Sequence, residues 1–439
     1  MPNALLDDLI DWLRIPSIST GGGDPADLKR AAEWVVERVQ AAGGEAQAVR
    51  IGDAHPLAVG ELRAADPSAP TVLIYGHYDV QSIGDPALWS SPPFEPEVRD
   101  GRVYARGAAD DKGNFLPLLH AACGLARAGE LPVHVRVLVE GEEEAGSGAV
   151  TEWVRADERG ADAAIVYDSG MIDEATPAIT VGLRGVLMAH LTVRTAERDL
   201  HSGLYGGSVL NALHVLHGAL AAVLPGPDGR LRAELREGIV DPSDEERASW
   251  AHLPPGDRVI ADAGGRPVHP GAGAEYYERN GADASLDVNE IRAGDPRTVI
   301  PAEAHATLSI RIVARQDPEA ISATAERLMH EMLPVGAELD MQWQVASPAL
   351  FDVDLPAMRL AAEAVERATG TAPVFERSGG SIPVVAELAA KGIPTIVSGF
   401  GLPGDGIHAP NESYRLESLA LGERAGRELL LALAGLPRE

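Results

Sequence analysis

Five short segments concentrate the side chains that could do chemistry. They are Gly76-His77-Tyr78-Asp79, Gly107-Ala108-Ala109-Asp110-Asp111-Lys112-Gly113, Glu140-Gly141-Glu142-Glu143-Glu144-Ala145-Gly146-Ser147, Tyr167-Asp168-Ser169-Gly170 and Gly406-Ile407-His408-Ala409-Pro410-Asn411-Glu412. Each carries His, Asp or Glu, the ligand set of a catalytic zinc or a related divalent ion. In an extended His-x-Asp, residues i and i+2 project to the same side. Asp79 can therefore reach the His77 ring nitrogen that faces away from a metal, fixing the tautomer and strengthening the ligand. Glu143 and Glu144 are adjacent and point in different directions, so one can bind metal while the other acts on water. Two nearby dications would pull the pKa of water held between them down to about 7, where a carboxylate could take its proton. Each segment alone has a plainer meaning: a His-x-Asp is usually a surface turn, and Glu140–Glu144 reads as a solvated acidic loop.

Other candidates are weaker. His214 and His217, at i and i+3, sit in an apolar helical pattern that suits a packed or interface helix better than a ligand site. His55, His120, His134, His190, His252, His269, His305 and His330 lack an acidic partner at ligand spacing and read as structural. Cys123, the single cysteine, lies in the apolar stretch Leu116–Leu125 and reads as an inert core thiol. There is no Gly-x-x-x-x-Gly-Lys-Ser/Thr loop, no Gly-x-Ser-x-Gly elbow and no cysteine pair for structural zinc. Gly-rich Thr20–Gly23 precedes a helix rather than following a buried strand, which argues against a dinucleotide loop.

The elements that must position these residues follow from periodicity. Leu6, Leu9, Ile10 and Leu13 predict an opening helix, and Asp24-Pro25 starts a second that ends near Gly43-Gly44. Thr71–Tyr75, Val133–Val139 and Ala163–Tyr167 are apolar throughout, as buried parallel strands are, with a helix over Gly113–Ala128 between the first two. Four of the five segments follow such a strand or an expected strand end, where ligands collect in open α/β sheets. From about Gly185 the pattern changes. Val186–Arg194, Glu303–Val313 and Glu338–Val345 read as strands, and Ser208–Leu224 and Pro318–Leu333 as helices, with 226–297 only partly assignable. After Phe351 the first pattern returns: helix Pro356–Ala368, strand Pro373–Phe375, helix Ile382–Ala390, strand Pro394–Phe400 and a closing helix before Pro437. The expected architecture is an α/β domain with helices on both faces of its sheet, formed by residues 1–184 and 348–439. An inserted α+β domain, 185–347, interrupts it.

The chain has 439 residues, a length that suggests two or three domains at roughly 150 residues each. Hydrophobic residues make up 45%, enough for a sizeable core, but aromatics only 4%, so Ala, Val, Leu and Ile must build it. Net charge is 37 − 66 = −29, which repels phosphate backbones and anionic lipid and argues against a nucleic-acid or membrane partner. No run approaches the ~18 apolar residues of a membrane span, and the first residues show no basic, cleavable leader. A reduced, cytoplasmic protein is expected.

In their order along the chain, these segments resemble the co-catalytic di-zinc metallopeptidase family of carnosine dipeptidase, aminoacylase, acetylornithine deacetylase and succinyl-diaminopimelate desuccinylase. Also in place are Trp89, Pro93-Phe94, Asp100–Gly107, Asp199-Leu200-His201-Ser202-Gly203, Thr298-Val299-Ile300-Pro301 and Gly379-Gly380-Ser381-Ile382-Pro383. The resemblance implies a di-zinc exopeptidase-type sheet with a ferredoxin-like lid and dimerisation domain. It implies two divalent ions per subunit, Zn2+ with Mn2+ or Co2+ as alternatives. Asp110 would bridge them, His77 and Asp168 would complete one site, and Glu144 and His408 the other. Glu143 would be the general base and acid, and the Asp110–Asp111 peptide bond would be cis. His201 would reach the partner's active site in a homodimer. Arg311, helped by Ser381 and Arg377, would hold a free substrate carboxylate, a task that suits the guanidinium fork. Asp168, where carboxypeptidases and deacylases of the family usually carry Glu, leans toward the di- and tripeptidases, and the wording of 199–207 and 379–383 toward the carnosine dipeptidase branch. Ala105 and Ala293–Arg297 depart from the usual Gly-rich wording, the second near the substrate side of the lid. The implied activity is hydrolysis of the peptide bond of dipeptides or similar small substrates. An N-acyl-amino-acid deacylase on the same centre is the alternative, and a non-catalytic metal- or peptide-binding protein the rival from another class.

Overall fold

The computed structural model describes residues 4–251 and 253–437, so His252 lies outside the described residues. Two units are distinguished: Met1–Val181 with Phe351–Glu376 and Ile382–Glu439, and Gly182–Leu350 with Arg377–Ser381.

In the first unit the apolar runs become parallel strands Thr71–His77, His134–Glu140 and Ala163–Tyr167, joined by Thr395–Ser398. Ala163–Tyr167 is buried at every residue, which is why it shows no polar alternation. The spatial order is Glu45–Val49, Leu57–Leu62, His134–Glu140, Thr71–His77, Ala163–Tyr167, Thr395–Ser398, Ala178–Leu183. Glu45–Val49 and Leu57–Leu62 run antiparallel and make the sheet mixed. Sequence periodicity does not reveal Glu45–Val49, because it is a short, largely exposed edge strand; nor does it reveal Leu57–Leu62, although that strand is mostly buried. His77 lies opposite Glu140, and Ser398 opposite Tyr167. This register brings the carboxyl ends of the four parallel strands level, and His77, Glu144, Asp168 and His408 lie at or beyond such ends, while Asp110 lies in the loop before helix Lys112–Ala128.

Helices Ala4–Leu13, Lys112–Ala128, Leu416–Leu433 and Pro356–Thr369 pack in succession, while Gly148–Ala156 pairs with Pro383–Ala390. The opening helix buries Leu5, Leu9, Trp12 and Leu13, a stripe shifted from the expected Leu6–Leu9–Ile10–Leu13. Trp12 sets the shift: it stacks on Trp34 with centroids 4.9 Å apart, and its Nε1 donates to Ala31 O at 3.2 Å. The second helix, Pro25–Ala41, is capped by the Asp24 side chain, which accepts from the Ala26 N–H at 2.9 Å.

The second unit is a β-α-β-β-α-β arrangement of the ferredoxin-like kind. Its antiparallel sheet has the order Ser285–Ala293, Glu303–Ile312, Gly185–Arg194, Glu338–Ala346. Leu187, Ala189, Leu191 and Val193 alternate along one strand and pack with residues of helices Ala212–Ala221 and Pro318–His330, among them Leu216, Ala219, Ile321 and Leu328. Ser285–Ala293 comes from the poorly assignable stretch; it is an edge strand with mostly exposed residues, so it carries no hydrophobic signature. His214 and His217 are exposed on the outer side of Ala212–Ala221, whose other side buries Val215, Leu216, Ala219 and Leu220. Among the described residues no helix is long and apolar enough to cross a membrane.

Candidate metal centre

All seven residues of the centre belong to the first unit. His77 ends strand Thr71–His77 and is fully buried. It follows Gly76, where a Cβ would lie 2.4 Å from the Phe115 ring, so helix Lys112–Ala128 can approach the strand only because no side chain intervenes. Asp79 follows two residues later. Asp110 lies just before that helix, in a loop whose Asp110–Asp111 peptide bond is cis. Glu143 and Glu144 open the 3-10 turn Glu143–Ala145 after strand His134–Glu140. Asp168 is the first residue beyond Ala163–Tyr167. His408 has φ 62° in the loop after Thr395–Ser398.

These residues converge as two overlapping triads, His77–Asp110–Asp168 and Asp110–Glu144–His408, each with ligand atoms within 4.8 Å of one another. Asp110 belongs to both. Its Oδ1 is 3.0 Å from His77 Nε2, and its Oδ2 is 3.0 Å from His408 Nε2. Asp168 Oδ1 lies 3.9 Å from His77 Nε2, and Glu144 Oε2 lies 3.2 Å from His408 Nε2. The far nitrogen of His77, Nδ1, faces Asp79: the Asp79 carbonyl oxygen at 3.0 Å and carboxylate Oδ1 at 3.3 Å. The Asp79 carboxylate also accepts the N–H groups of Glu143 and Glu144 at 3.2 Å each and the Ser19 hydroxyl at 2.6 Å. It thereby couples the ring of His77 to the backbone of both glutamates.

The charge distribution suits cations. Burial, with the charges of Asp110, Glu140 and Glu144, pushes Glu143 up to about 8. Burial and the neighbouring carboxylates likewise hold Asp168 well above the usual range. Against burial, hydrogen bonds to His408 and His77 pull Asp110 down. Hydrogen bonds with Asp110 and Glu144 push His408 up to about 10. This is a crowd of carboxylates held together by two imidazoles, and that donor set suits zinc, manganese or cobalt. Glu144 Oε1 is buried with no hydrogen-bond partner among the described residues, a lone pair that a bound ion would satisfy. The residues fit a two-ion centre.

Several supporting groups escape a reading by sequence. Ser19 is distant in the chain from Asp79. Asn114 accepts from Phe400 N at 3.0 Å and donates to Ser169 O at 2.8 Å, beside Asp168. Glu140 accepts from Tyr75 and Ser147 hydroxyls, and burial pushes it up to about 8. Polar type alone does not mark Ser19 or Asn114, and although Glu140 heads the acidic segment, its residue type does not tell a buried acceptor from a ligand.

The second unit holds the remaining candidates. Arg311 Nη1 donates to Ser381 Oγ at 3.0 Å, and the Ser381 hydroxyl in turn donates to Arg184 O. Burial lowers Arg311 from its ordinary value, with Asp287 acting the other way. Arg377, the expected helper of Arg311, instead pairs with Glu246, and its aliphatic stem packs near Gly182 and Gly281. Its guanidinium is thus already engaged by a carboxylate. His201 is exposed, and its Nδ1 accepts the Gly203 N–H at 3.0 Å.

Comparison with known proteins identifies the family. Residues 73–432 match the model of Peptidase family M20/M25/M40. The chain is similar to the Cys-Gly metallodipeptidase dug1 of Schizosaccharomyces pombe, 29% identical over 93% of this chain and 91% of that protein. It is 26% identical to the Beta-Ala-His dipeptidase of Homo sapiens, over 87% of this chain and 78% of that protein. Its fold is similar to the metallo-carboxypeptidase Sso-CP2 of Sulfolobus solfataricus, with a TM-score of 0.90 and 25% identity, covering 99% of this chain and 100% of that one. The chain belongs to peptidase family M20/M25/M40 and is an enzyme, a dipeptidase-like metallopeptidase.

Proposed function

We propose that the protein hydrolyses the peptide bond of dipeptides, or of similarly small substrates with a free carboxylate, at a centre of two divalent ions. The observation that carries this reading is the sharing of Asp110 by two ligand triads with the Glu143 carboxyl among them. In it, His77 and Asp168 hold one ion with Asp110, and Glu144 and His408 hold the other. Zinc is the proposed ion, and manganese or cobalt would suit the same donors. Bound ions would supply Lewis-acid polarisation of the scissile carbonyl and acidify water. Glu143 takes a proton from the attacking water and returns it to the leaving amine; burial raises its proton affinity, as suits a group that must do both. Asp79 holds the His77 ring so that Nε2 faces Asp110.

Arg311 takes the free carboxylate of the substrate. Ser381, which accepts from Arg311 and donates to Arg184 O, steadies that fork. Arg377 is left out of this role by its pairing with Glu246. The protein acts as a homodimer in which His201 serves the partner's centre. With Nδ1 accepting from Gly203, a neutral His201 ring carries its proton on Nε2 and can donate to an oxyanion. Exposed Leu204 and Tyr205 beside it support a subunit contact. A cytoplasmic setting is part of the proposal, supported by the buried, unpaired thiol of Cys123.

The test is a substrate panel on protein loaded with Zn2+, Mn2+ or Co2+. It contains Cys-Gly and β-Ala-His, N-acetyl amino acids, and tetrapeptides. Dipeptides are expected to be cleaved fastest. Preference for N-acetyl amino acids would make the protein a deacylase, and stepwise trimming of tetrapeptides would make it a carboxypeptidase.

A further inference from the structure

Arg106 and Glu412 form an ion pair whose side chains are 2% and 1% exposed, with Nη1 2.7 Å from Oε2. Neither has a part in the proton transfers above. Glu412 accepts four hydrogen bonds. Oε2 takes Arg106 Nη1 and the Gly107 N–H at 3.0 Å, while Oε1 takes the N–H groups of Ala109 at 2.8 Å and Asp110 at 3.1 Å. The second guanidinium nitrogen, Arg106 Nη2, donates to Ser82 O at 3.0 Å and to His408 O at 3.3 Å. One buried pair therefore grips the main chain of Asp110 with one member and that of His408 with the other. Those residues are the two that meet at 3.0 Å through Asp110 Oδ2 and His408 Nε2. The His408 ring also meets Glu144, with Oε2 3.2 Å from Nε2. The His408 side chain is 52% exposed, and its φ of 62° lies in the left-handed region.

We propose that the Arg106–Glu412 pair is a positioning device that sets the spacing of Asp110 and His408, and with it the affinity of the Asp110–Glu144–His408 triad for a divalent ion. The inference rests on reading the two triads as ion sites. Charge-assisted hydrogen bonds to a buried carboxylate are short and directional, so they suit this task better than loop packing. Arg106 is needed as arginine: its planar fork spans Glu412 on one side and two carbonyl oxygens on the other, which a lysine ammonium cannot do.

The experiment strips metal from the protein with a chelator and titrates Zn2+ back by calorimetry, with the melting of each metal-free protein followed alongside. Wild type is expected to bind about two equivalents, and His408→Ala to lose the step that belongs to its triad. Arg106→Lys keeps the buried positive charge and loses the fork. It is expected to weaken the His408-dependent step by about 10–100-fold, the usual effect of removing a group that orients a ligand, and to leave the other step unchanged. Glu412→Gln turns an amide N–H against backbone donors whichever way it lies. Because Asp110 serves both triads, it is expected to weaken both steps. Two unchanged steps in either variant would overturn the inference. So would equal weakening of both steps in Arg106→Lys, or loss of cooperative melting in its metal-free form, since either makes the pair a general stability element. Fewer than two equivalents in wild type would instead overturn the two-ion reading.

Discussion

Glu144 Oε2 lies 3.2 Å from His408 Nε2, whereas the Glu143 carboxyl makes no ion pair with a histidine among the described residues. Their backbones share one anchor, Asp79, so the difference lies in where each carboxyl points. Glu143→Ala is expected to keep near-normal metal content and lose about 10²–10⁴-fold in turnover, as removal of a positioned base does. Glu144→Ala is expected to lose metal. Elemental analysis and kinetics on both variants check the assignment, and the opposite pattern would exchange the two roles. Arg311 calls for a different measurement. It has Ser381 as a neutral partner and burial that disfavours its charge, so an anion would relieve it. Arg311→Met is expected to lose about 2–5 kcal/mol of transition-state binding on a dipeptide and much less on the corresponding C-terminal amide. Equal losses on acid and amide would remove Arg311 from carboxylate binding.

The strand Thr71–His77 and the helix Lys112–Ala128 meet at Gly76, where a Cβ would sit 2.4 Å from Phe115 and 2.7 Å from Asp111 Oδ2. Asp111 Oδ2 also accepts the His77 N–H at 3.0 Å, so the packing of these elements and the placing of a ligand are one contact. Gly76→Ala is expected to destabilise the fold by about 1–3 kcal/mol, the usual penalty of overpacking, and to weaken metal binding as well. Chemical denaturation and metal titration of the variant measure both. On the same helix, burial pushes the Cys123 thiol up to about 12. Only the thiolate reacts, so the folded protein at pH 8 is expected to resist a disulfide reagent such as DTNB and to expose one reactive thiol on unfolding. Rapid labelling of the folded protein would show that this helix opens easily.

At the scale of the molecule, every candidate metal ligand lies in the first unit, while His201, Arg311 and Ser381 lie in the second. If His201 serves the partner's centre, two inactive proteins can repair each other. In a mixed dimer of His201→Ala and Glu143→Ala, one of the two centres regains both residues. After subunit exchange at equal concentrations, activity is expected to recover to about a quarter of wild type, since half the dimers are mixed and each has one intact centre. Exchange verified by mass spectrometry without recovery would confine His201 to its own chain or to capping the Gly203 turn.

The candidate segments are legible in the amino-acid sequence because their information is local, and the roles of single residues within them come from the family resemblance. Residue type, i to i+2 projection and apolar runs without alternation all act within a few positions. For the same reason the parallel strands, the Asp24-capped helix and three of the four strands of the second unit can be read directly. Ser285–Ala293 and Glu45–Val49 cannot, because a largely exposed edge strand buries too little to leave a period. Periodicity gives the opening helix the wrong stripe, since only its stacking on Trp34 shows that Trp12 faces inward. Contacts across the chain are beyond its reach altogether. Ser19 on Asp79, Glu412 on the amides of Gly107, Ala109 and Asp110, and Glu246 on Arg377 join residues 60 to about 300 positions apart. Residue type and spacing mark the candidate segments, and the resemblance names the expected ligands within them. Apart from Asp79, which local spacing already sets against His77, tertiary packing chooses the groups that orient them, because hydrogen-bond geometry between distant segments exists only once the sheet and its loops have come together.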